Sequence, residues 1–429
     1  MTTFDEILPK LTEIFERRRE NIRELGHIVV NRDLNGRICL VMSEAHRGKE
    51  YIERLAEEIH DGLQPHAFPA ERLVLFEEDI ERFIEKERAF PFSDDIENVF
   101  IVDRLALEGD WGEIATETTK PPRIVFYSMK GGVGRSTALA VTAWSLAERG
   151  HRVMALDLDL ESPGLSTSLL PKDRRPSFGV TDWLVEDLVD NGDAVLDSMV
   201  ATSDLSRNGE ILVMPAHGAD PGEYVSKLGR IWMPKVTRDG EREPWFRRLD
   251  RLSKALEEKW KPDVVLIDSR AGIDEVASTC LTDLGASLVL LFAVDGDQTW
   301  SGYRILFQHW KRVGVVRQVR EQLQLVGAMI PETGTLDYLQ GLRERAWDLF
   351  SEELYDEIPP GNSEGDLWSF DLADETAPHW PWRVNWHRGF AALRSMHGRL
   401  HEIDVTMVTA VFGDLLEGVV STIDKEDAS

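Results

Sequence analysis

A strand-like run and a helical pattern flank the stretch Lys130-Gly131-Gly132-Val133-Gly134-Arg135-Ser136-Thr137. The run before it is Arg123–Met129, and the pattern after it is Ser136–Glu148. A glycine-rich turn in this position lets backbone N–H groups point inward around an anion, and the helix N-terminus adds partial positive charge. The sequence therefore predicts a phosphate-binding loop, with Ser136 placed to offer its hydroxyl to Mg²⁺.

Apolar runs alternate with helical patterns on both sides of this loop. Beyond Arg123–Met129, strands are predicted at His151–Asp157, Ile211–Pro215, Asp263–Asp268, Ser287–Val294 and Leu325–Ile330, with a helix at Trp245–Trp260. Such alternation is typical of a parallel sheet covered by helices on both faces. We therefore predict an α/β fold for residues 119–429, with the doubly wound, mostly parallel sheet of a P-loop NTPase.

The first part of the chain has a different pattern. A charged helical stretch, Phe4–Leu25, is followed by two β-like runs around Asn35-Gly36, which is a strong hairpin signal, and by a helix at Gly48–Gly62. An acidic helical run, Glu77–Glu87, comes later. These features predict a small α+β accessory domain over residues 1–118. No catalytic motif stands out in it, and its role is not apparent from the sequence.

Two further motifs end strands of the predicted sheet. Asp157 and Asp159 close the run Met154–Asp159, and Asp268 closes an apolar strand in the pattern of a Walker B motif. The carboxyl ends of parallel strands meet at one edge of the sheet, which is also where the phosphate loop lies. The Walker B pattern therefore predicts that Asp268 binds the shell of a Mg²⁺ ion held by Ser136, and Asp157 and Asp159 are expected near the same edge.

The stretch KGGVGRST resembles the deviant Walker A motif of the MinD/ParA family of ATPases, which usually ends in KGGVGKT or KGGVGKS. With its arginine it resembles the KGGVGR variant branch of that family. Two positions depart from the standard loop, because Met129 replaces its first glycine and Arg135 replaces its lysine. The resemblance implies that ATP with Mg²⁺ is bound by Gly131, Gly132, Val133, Gly134, Arg135, Ser136 and Thr137. It also implies that Asp157 helps to hold Mg²⁺ through water.

The resemblance also implies three catalytic roles. Lys130 would reach across an ATP-dependent homodimer to the partner's nucleotide, Asp159 would orient the attacking water, and Arg135 would supply the cation on the β- and γ-phosphate oxygens. Arginine is longer than lysine, planar and bidentate, so the replacement leaves open whether hydrolysis is fast. No Asn-Lys-x-Asp guanine motif occurs, which favours ATP but leaves GTP open.

The composition limits the classes of partner. With 77 acidic and 49 basic residues the formal net charge is −28. This charge argues against a protein that coats DNA or binds anionic membranes. Cys39 and Cys280 lie in no CxxC pattern, so a disulfide framework or a zinc site is not expected and a cytoplasmic setting fits. No signal peptide or membrane span is predicted. The amphipathic tail Ile403–Ile423 is expected to pack on the domain.

We therefore predict a dimerising molecular switch that hydrolyses ATP and regulates a protein partner. The resemblance to the KGGVGR branch points to bacterial signalling or anti-phage defence. A non-hydrolysing, nucleotide-gated scaffold is the alternative, and a DNA-partitioning ATPase is a third possibility that the acidity disfavours. Three interpretations of the Trp-rich stretch Pro378–His387 stay open: an edge that contacts the nucleotide base, a protein interface, and a loop packed on the core. The identity of the partner is also open.

Overall fold

The computed structural model describes residues 2–93, 95–105, 111–118, 120–205, 207–237, 239–357, 367–391 and 405–428. The chain forms two compact units, Met1–Asp110 and Trp111–Ser429. The predicted boundary at residue 118 lies slightly after this division of the chain. The segment in between belongs to the second unit, because the backbone N–H groups of Ala115 and Thr118 donate to the carbonyls of Thr282 and Gly285.

The strands are β1 Ile28–Arg32, β2 Ile38–Ser43, β3 Val74–Glu77, β4 Phe90–Pro91, β5 Val99–Asp103, β6 Arg123–Ser128, β7 Arg152–Asp157, β8 Ala201–Thr202, β9 Glu210–Met214, β10 Lys235–Val236, β11 Arg242–Glu243, β12 Val264–Ala271, β13 Leu288–Ala293, β14 Leu323–Ile330 and β15 Trp382–Asn385.

The α-helices are α1 Ile7–Arg17, α2 Arg19–Glu24, α3 Glu50–Leu63, α4 Ile80–Lys86, α5 Arg135–Glu148, α6 Leu165–Leu169, α7 Val180–Asp187, α8 Asp193–Leu196, α9 Tyr224–Ile231, α10 Trp245–Trp260, α11 Glu275–Ser278, α12 Asp297–Arg312, α13 Val316–Val319, α14 Thr335–Glu353, α15 Arg388–Ala391 and α16 Val405–Ala428. Short 3-10 turns occur at Phe4–Glu6, Glu44–His46, Ala70–Arg72, Lys172–Arg174 and Arg320–Gln322, and a π-turn follows α11 at Thr279–Asp283.

The first unit is a mixed five-stranded sheet in the order β3-β2-β1-β5-β4. Strands β1 and β2 pair antiparallel, which confirms the predicted hairpin. Gly36, in the turn between these strands, has a φ of +75°, a conformation that favours glycine. The predicted helix over Phe4–Leu25 is broken at Arg18, where α1 ends before α2. Within the predicted helical run Glu77–Glu87, the helix α4 begins only at Ile80. Glu77 belongs to β3, and Asp79 caps α4 by accepting from the Arg82 N–H.

The second unit is an eight-stranded sheet in the order β15-β14-β13-β6-β12-β7-β9-β8. Neighbouring strands are parallel except at one edge, where β8 pairs antiparallel with β9. This confirms the predicted α/β class. The short strands β8 and β15 were not predicted, because each adds few residues at an edge where alternation is too brief to detect.

The C-terminal helix α16 packs along the β15 edge of this sheet. Its apolar side is buried in the core of the second unit through Val408, Val411, Phe412, Leu415, Leu416, Val419 and Ile423. By length and composition alone, Val405–Asp424 is also apolar enough to cross a membrane. The predicted packing is therefore found from Val405 onward, while the first two residues of the predicted tail lie outside the described residues.

Two glycines in α16 provide a matched test of this packing. A Cβ at Gly418 would stand 2.5–2.6 Å from three ring atoms of Trp382 in β15, whereas a Cβ at Gly413 would make an ordinary 3.6 Å contact with Thr409. Gly418→Ala should therefore lower the free energy of unfolding by about 1–3 kcal/mol through overpacking. Gly413→Ala should leave it unchanged or raise it by up to about 1 kcal/mol, since alanine favours helix.

Urea denaturation followed by tryptophan fluorescence measures both effects. All 13 tryptophans lie in residues 111–429, so the signal reports on the second unit alone. If the two variants had equal midpoints, the close packing of α16 against β15 would be contradicted.

Candidate functional site

The phosphate loop connects the central strand β6 to helix α5. Strand β6 ends at Ser128 and the helix begins at Arg135, one residue from each predicted limit. Gly132 and Gly134 have φ angles of +77° and +84°. Residues with a Cβ rarely adopt this left-handed conformation, so the turn of the loop depends on glycine at these two positions.

The register of the sheet brings two of the predicted carboxylates together. Asp157 of β7 lies directly across from Asp268 of the neighbouring strand β12. The Asp157 carboxylate accepts hydrogen bonds from the backbone N–H groups of Gly164 and Leu165 at 3.2 and 3.1 Å. Burial, together with the nearby charge of Asp268, raises the pKa of Asp157 well above its usual range.

Arg135 turns toward the carboxylates of this edge. Its Nε donates to Oδ1 of Asp268 at 2.7 Å, and one terminal nitrogen donates to Oδ2 of Asp159 at 3.0 Å. The other terminal nitrogen lies 3.3 Å from Oγ of Ser128. Only 7% of the arginine side chain is exposed, against 2% for Asp268 and 16% for Asp159. One guanidinium therefore holds the two motif carboxylates together in a nearly dry position.

The charges of this cluster stabilise one another. Burial alone would lower the pKa of Arg135, but the charges of Asp268 and Asp159 and their hydrogen bonds outweigh burial and raise it. Burial raises the pKa of Asp159, although the opposing charge of Arg135 limits the rise. The sequence predicted Arg135 as a phosphate contact, and that role stays a prediction. The structure shows its pairing with the carboxylates.

A cavity of about 650 Å³ opens in front of the loop. Its lining includes residues 131–137 with Asp159 and Ser162, and a second group made of Asn385, Trp386, His387 and Phe390 with Phe412 of α16. Cavities of this size hold small molecules and cofactors. The two ends of the Trp-rich stretch lie in different surroundings. His379 is buried and outside the lining, whereas Val384 and Trp386, which is 37% exposed, line this cavity.

The remaining predicted residues take different positions around the cavity. Ser136 and Thr137 line it with the loop glycines and Val133. Lys130 is exposed and is absent from the lining of this cavity. The described residues show no ion pair for Lys130. The predicted loop residues therefore come together, and Lys130 stands outside them.

Of the residues predicted to hold Mg²⁺, Ser136 lines the cavity, whereas Asp157 and Asp268 are buried and outside its lining. Within the described residues no cluster of three His, Cys, Asp or Glu side chains could hold a metal ion by itself. Mg²⁺ keeps several waters and is held by one or two protein oxygens together with substrate phosphates. The Ser136 hydroxyl would be the direct ligand, and Asp268 and Asp157 would hold water in its shell.

The sequence does not single out Arg270 or Phe390 as site residues, and it includes Asn385 only in the Trp-rich stretch, for which a nucleotide-base edge is one interpretation. Arg270 carries a detectable signal, because it follows Asp268 by two residues at the carboxyl edge of the sheet. Phe390 carries none, since it reaches the loop only through the pairing of the edge strand β15 with β14.

One curated protein is similar to this chain in sequence. The chloroplastic homologue of the septum site-determining protein MinD from Arabidopsis thaliana is 31% identical over 178 residues, which are 42% of this chain and 47% of that protein. The chain thus spans about half the length of this curated relative.

Among solved structures, the cell division ATPase MinD of Pyrococcus furiosus is 21% identical, with a TM-score of 0.41 over 70% of this chain and 99% of that one. MinD of Pyrococcus horikoshii in complex with Mg-ADP is also 21% identical, with a TM-score of 0.40 over 70% and 95% of the two chains.

The sequence model of one family covers most of the second unit. It describes the CobQ/CobB/MinD/ParA nucleotide-binding domain and matches residues 124–422, from the central strand before the phosphate loop into the C-terminal helix. With the loop, the paired carboxylates and the cavity in place, this match assigns the protein to the CobQ/CobB/MinD/ParA nucleotide-binding domain family.

Proposed function

We propose that the protein is an ATP- and Mg²⁺-dependent switch that dimerises, hydrolyses ATP and passes its nucleotide state to a protein partner. The observation that carries the proposal is the cavity of about 650 Å³, whose lining joins the glycine loop, Asp159 and an aromatic part. A triphosphate and a base need chemically different surroundings, and the two groups of lining residues supply them.

The loop part of the lining suits the phosphates. Inward backbone N–H groups and the N-terminus of the 14-residue helix α5 favour an anion at this position. The aromatic part of the lining suits the base, because Trp386 and Phe390 line the cavity and every nucleobase can stack on an aromatic ring. The base itself is proposed to be adenine.

Asp159 has the acceptor capacity that a water-orienting residue needs. Its Oδ2 accepts from Arg135, and its Oδ1 accepts only a long 3.3 Å hydrogen bond from the Ser162 N–H among the described contacts. A carboxylate offers about four lone-pair sites, so lone pairs remain for a water in the cavity. A bound Mg²⁺ would neutralise developing charge on the phosphate oxygens. Arg135 fixes the orientation of the Asp159 carboxylate.

The position of Lys130 supports the dimeric part of the proposal. This side chain is exposed and does not line the cavity of its own subunit, although it begins the phosphate loop. A cation in this position can serve a nucleotide bound by a second copy of the chain. The acidic surface of the chain fits a protein partner better than nucleic acid.

Lys130→Ala should weaken ATP-dependent dimerisation while ATP still binds each subunit. Loss of one charge-assisted contact is expected to raise the dimer dissociation constant about tenfold or more. Size-exclusion chromatography with light scattering, with and without ATP and Mg²⁺, measures the change. The control is Lys311→Ala, an exposed lysine of α12 that contacts α14. Equal dimerisation of wild type and Lys130→Ala would contradict the proposed role.

A non-hydrolysing, nucleotide-gated scaffold is the second candidate. The specific observation in its favour is that Arg135 occupies both Asp159 and Asp268, the carboxylates on which turnover would depend. The two candidates share the nucleotide site and differ in phosphate release. A place in bacterial signalling or anti-phage defence rests on the resemblance of the loop to the KGGVGR branch alone.

A further inference from the structure

Arg270 is a second arginine in the wall of the cavity. It follows Asp268 by two residues in β12 and lines the cavity beside the phosphate loop. Within the described lining of this cavity, Arg135 and Arg270 are the residues with a permanent positive charge. The phosphate loop lacks its usual lysine, so within one subunit these two arginines are the candidates for the cation that contacts the terminal phosphate.

The two arginines differ in how firmly their present partners hold them. Arg270 pairs with Glu161 at 2.5 Å and with Asp274 at 3.1 Å. These three side chains are 32%, 49% and 23% exposed, so water screens the pairs and they contribute little net stability. Arg135 is 7% exposed and its partner Asp268 is 2% exposed. Removing Arg135 from this pair would leave a buried carboxylate uncompensated, which is far more costly.

We propose that Arg270, and not Arg135, is the residue that contacts the γ-phosphate of bound ATP. This inference rests on the proposed function, in which the cavity holds ATP. The guanidinium of Arg270 exchanges its contacts with the carboxylates of Glu161 and Asp274 for a bidentate contact with phosphate oxygens. This contact suits the planar geometry of the guanidinium. Arg135 remains with Asp268 and Asp159 and keeps the catalytic carboxylates in place.

The exchange also gives the chain a way to sense its nucleotide. Glu161 lies in the loop between β7 and α6, and Asp274 caps the start of α11 by accepting from the Ala277 N–H. In the structure Arg270 links these two segments. When Arg270 moves to a γ-phosphate the link opens, and hydrolysis to ADP restores it. The two segments therefore respond to the γ-phosphate itself.

The test compares ATP with ADP, using full-length Arg270→Gln and isothermal titration calorimetry with Mg²⁺. The variant should bind ATP about ten- to a hundredfold more weakly than wild type, as expected for loss of a charge-assisted contact, while its ADP affinity stays within about twofold. Arg270→Lys should recover part of the ATP affinity, because it restores the charge without the bidentate geometry. Unchanged ADP binding also shows that the variant is folded.

The matched control is Arg304→Gln. Arg304 is 40% exposed, pairs with Glu352 and Glu353, and lies outside the cavity. It should leave both affinities unchanged. Equal weakening of ATP and ADP by Arg270→Gln would overturn the inference, and so would unchanged ATP binding. If the wild type bound neither nucleotide, the proposed function would fail and this inference with it.

Discussion

Asp159→Asn should reduce phosphate release from ATP about a hundredfold or more, which is the usual contribution of a positioned acid–base group. The amide keeps the shape of the side chain but is a poor acceptor for a proton from the attacking water. ATP binding should persist, because the loop amides and the aromatic part of the lining are unchanged. The substitution therefore separates catalysis from binding.

The experiment measures phosphate release with saturating ATP and Mg²⁺, and ATP affinity in parallel. Asp173→Asn is the control, because Asp173 is an exposed carboxylate in the 3-10 turn Lys172–Arg174. Background release from the wild type and from Asp159→Asn alike, with ATP still bound, would support the scaffold over the ATPase. Release that is substantial and equal in both would show that Asp159 does not orient the water.

Asp187→Asn should lower the free energy of unfolding of the second unit by about 3–5 kcal/mol, because it leaves buried positive charge without its partner. The Asp187 side chain is 4% exposed and accepts from Arg248, which is fully buried, and from Arg251 and Lys235. Arg248 also donates to backbone carbonyls of Leu184 and Met233. This one carboxylate therefore holds α7, α10 and the segment after α9 together.

Asp190→Asn is the matched control for this variant. Asp190 is 55% exposed and pairs with the same Lys235, so its loss should cost under about 1 kcal/mol. Urea denaturation followed by tryptophan fluorescence reports on the second unit for both variants. Equal midpoints would contradict a structural role for the buried network.

The Asp187 contribution should also depend on pH in a defined direction. Burial would raise the pKa of this carboxyl, but hydrogen bonds from Arg251, Arg248 and Lys235 outweigh burial and lower it below its ordinary value of 3.8. A lowered pKa in the folded protein means that the stabilisation is complete above pH 3.8 and is lost as the pH falls through the folded value. The difference between wild type and Asp187→Asn should therefore shrink in strong acid.

Much of the architecture could be predicted from local patterns. The central strand, the phosphate loop, helix α5 and the strands that carry Asp157 and Asp268 were each predicted to within a few residues, although β12 continues past Asp268 to Ala271. The periodicity of apolar residues and the glycines and prolines between the elements are local features of the sequence. The order of such elements indicates a parallel sheet with the loop at its carboxyl edge. Short edge strands such as β15 give no such signal.

The sequence by itself determined the nucleotide-binding class of this protein, because a loop of glycines between a strand and a helix has one chemical use in this setting. Only the tertiary structure decided which partners each charge takes. Arg135 meets Asp268 and Asp159, and Arg270 meets Glu161 and Asp274. These choices depend on strand register and on burial, which are set by contacts between residues far apart in the chain. A sequence lists the charges, whereas the fold fixes their distances and their exposure to water.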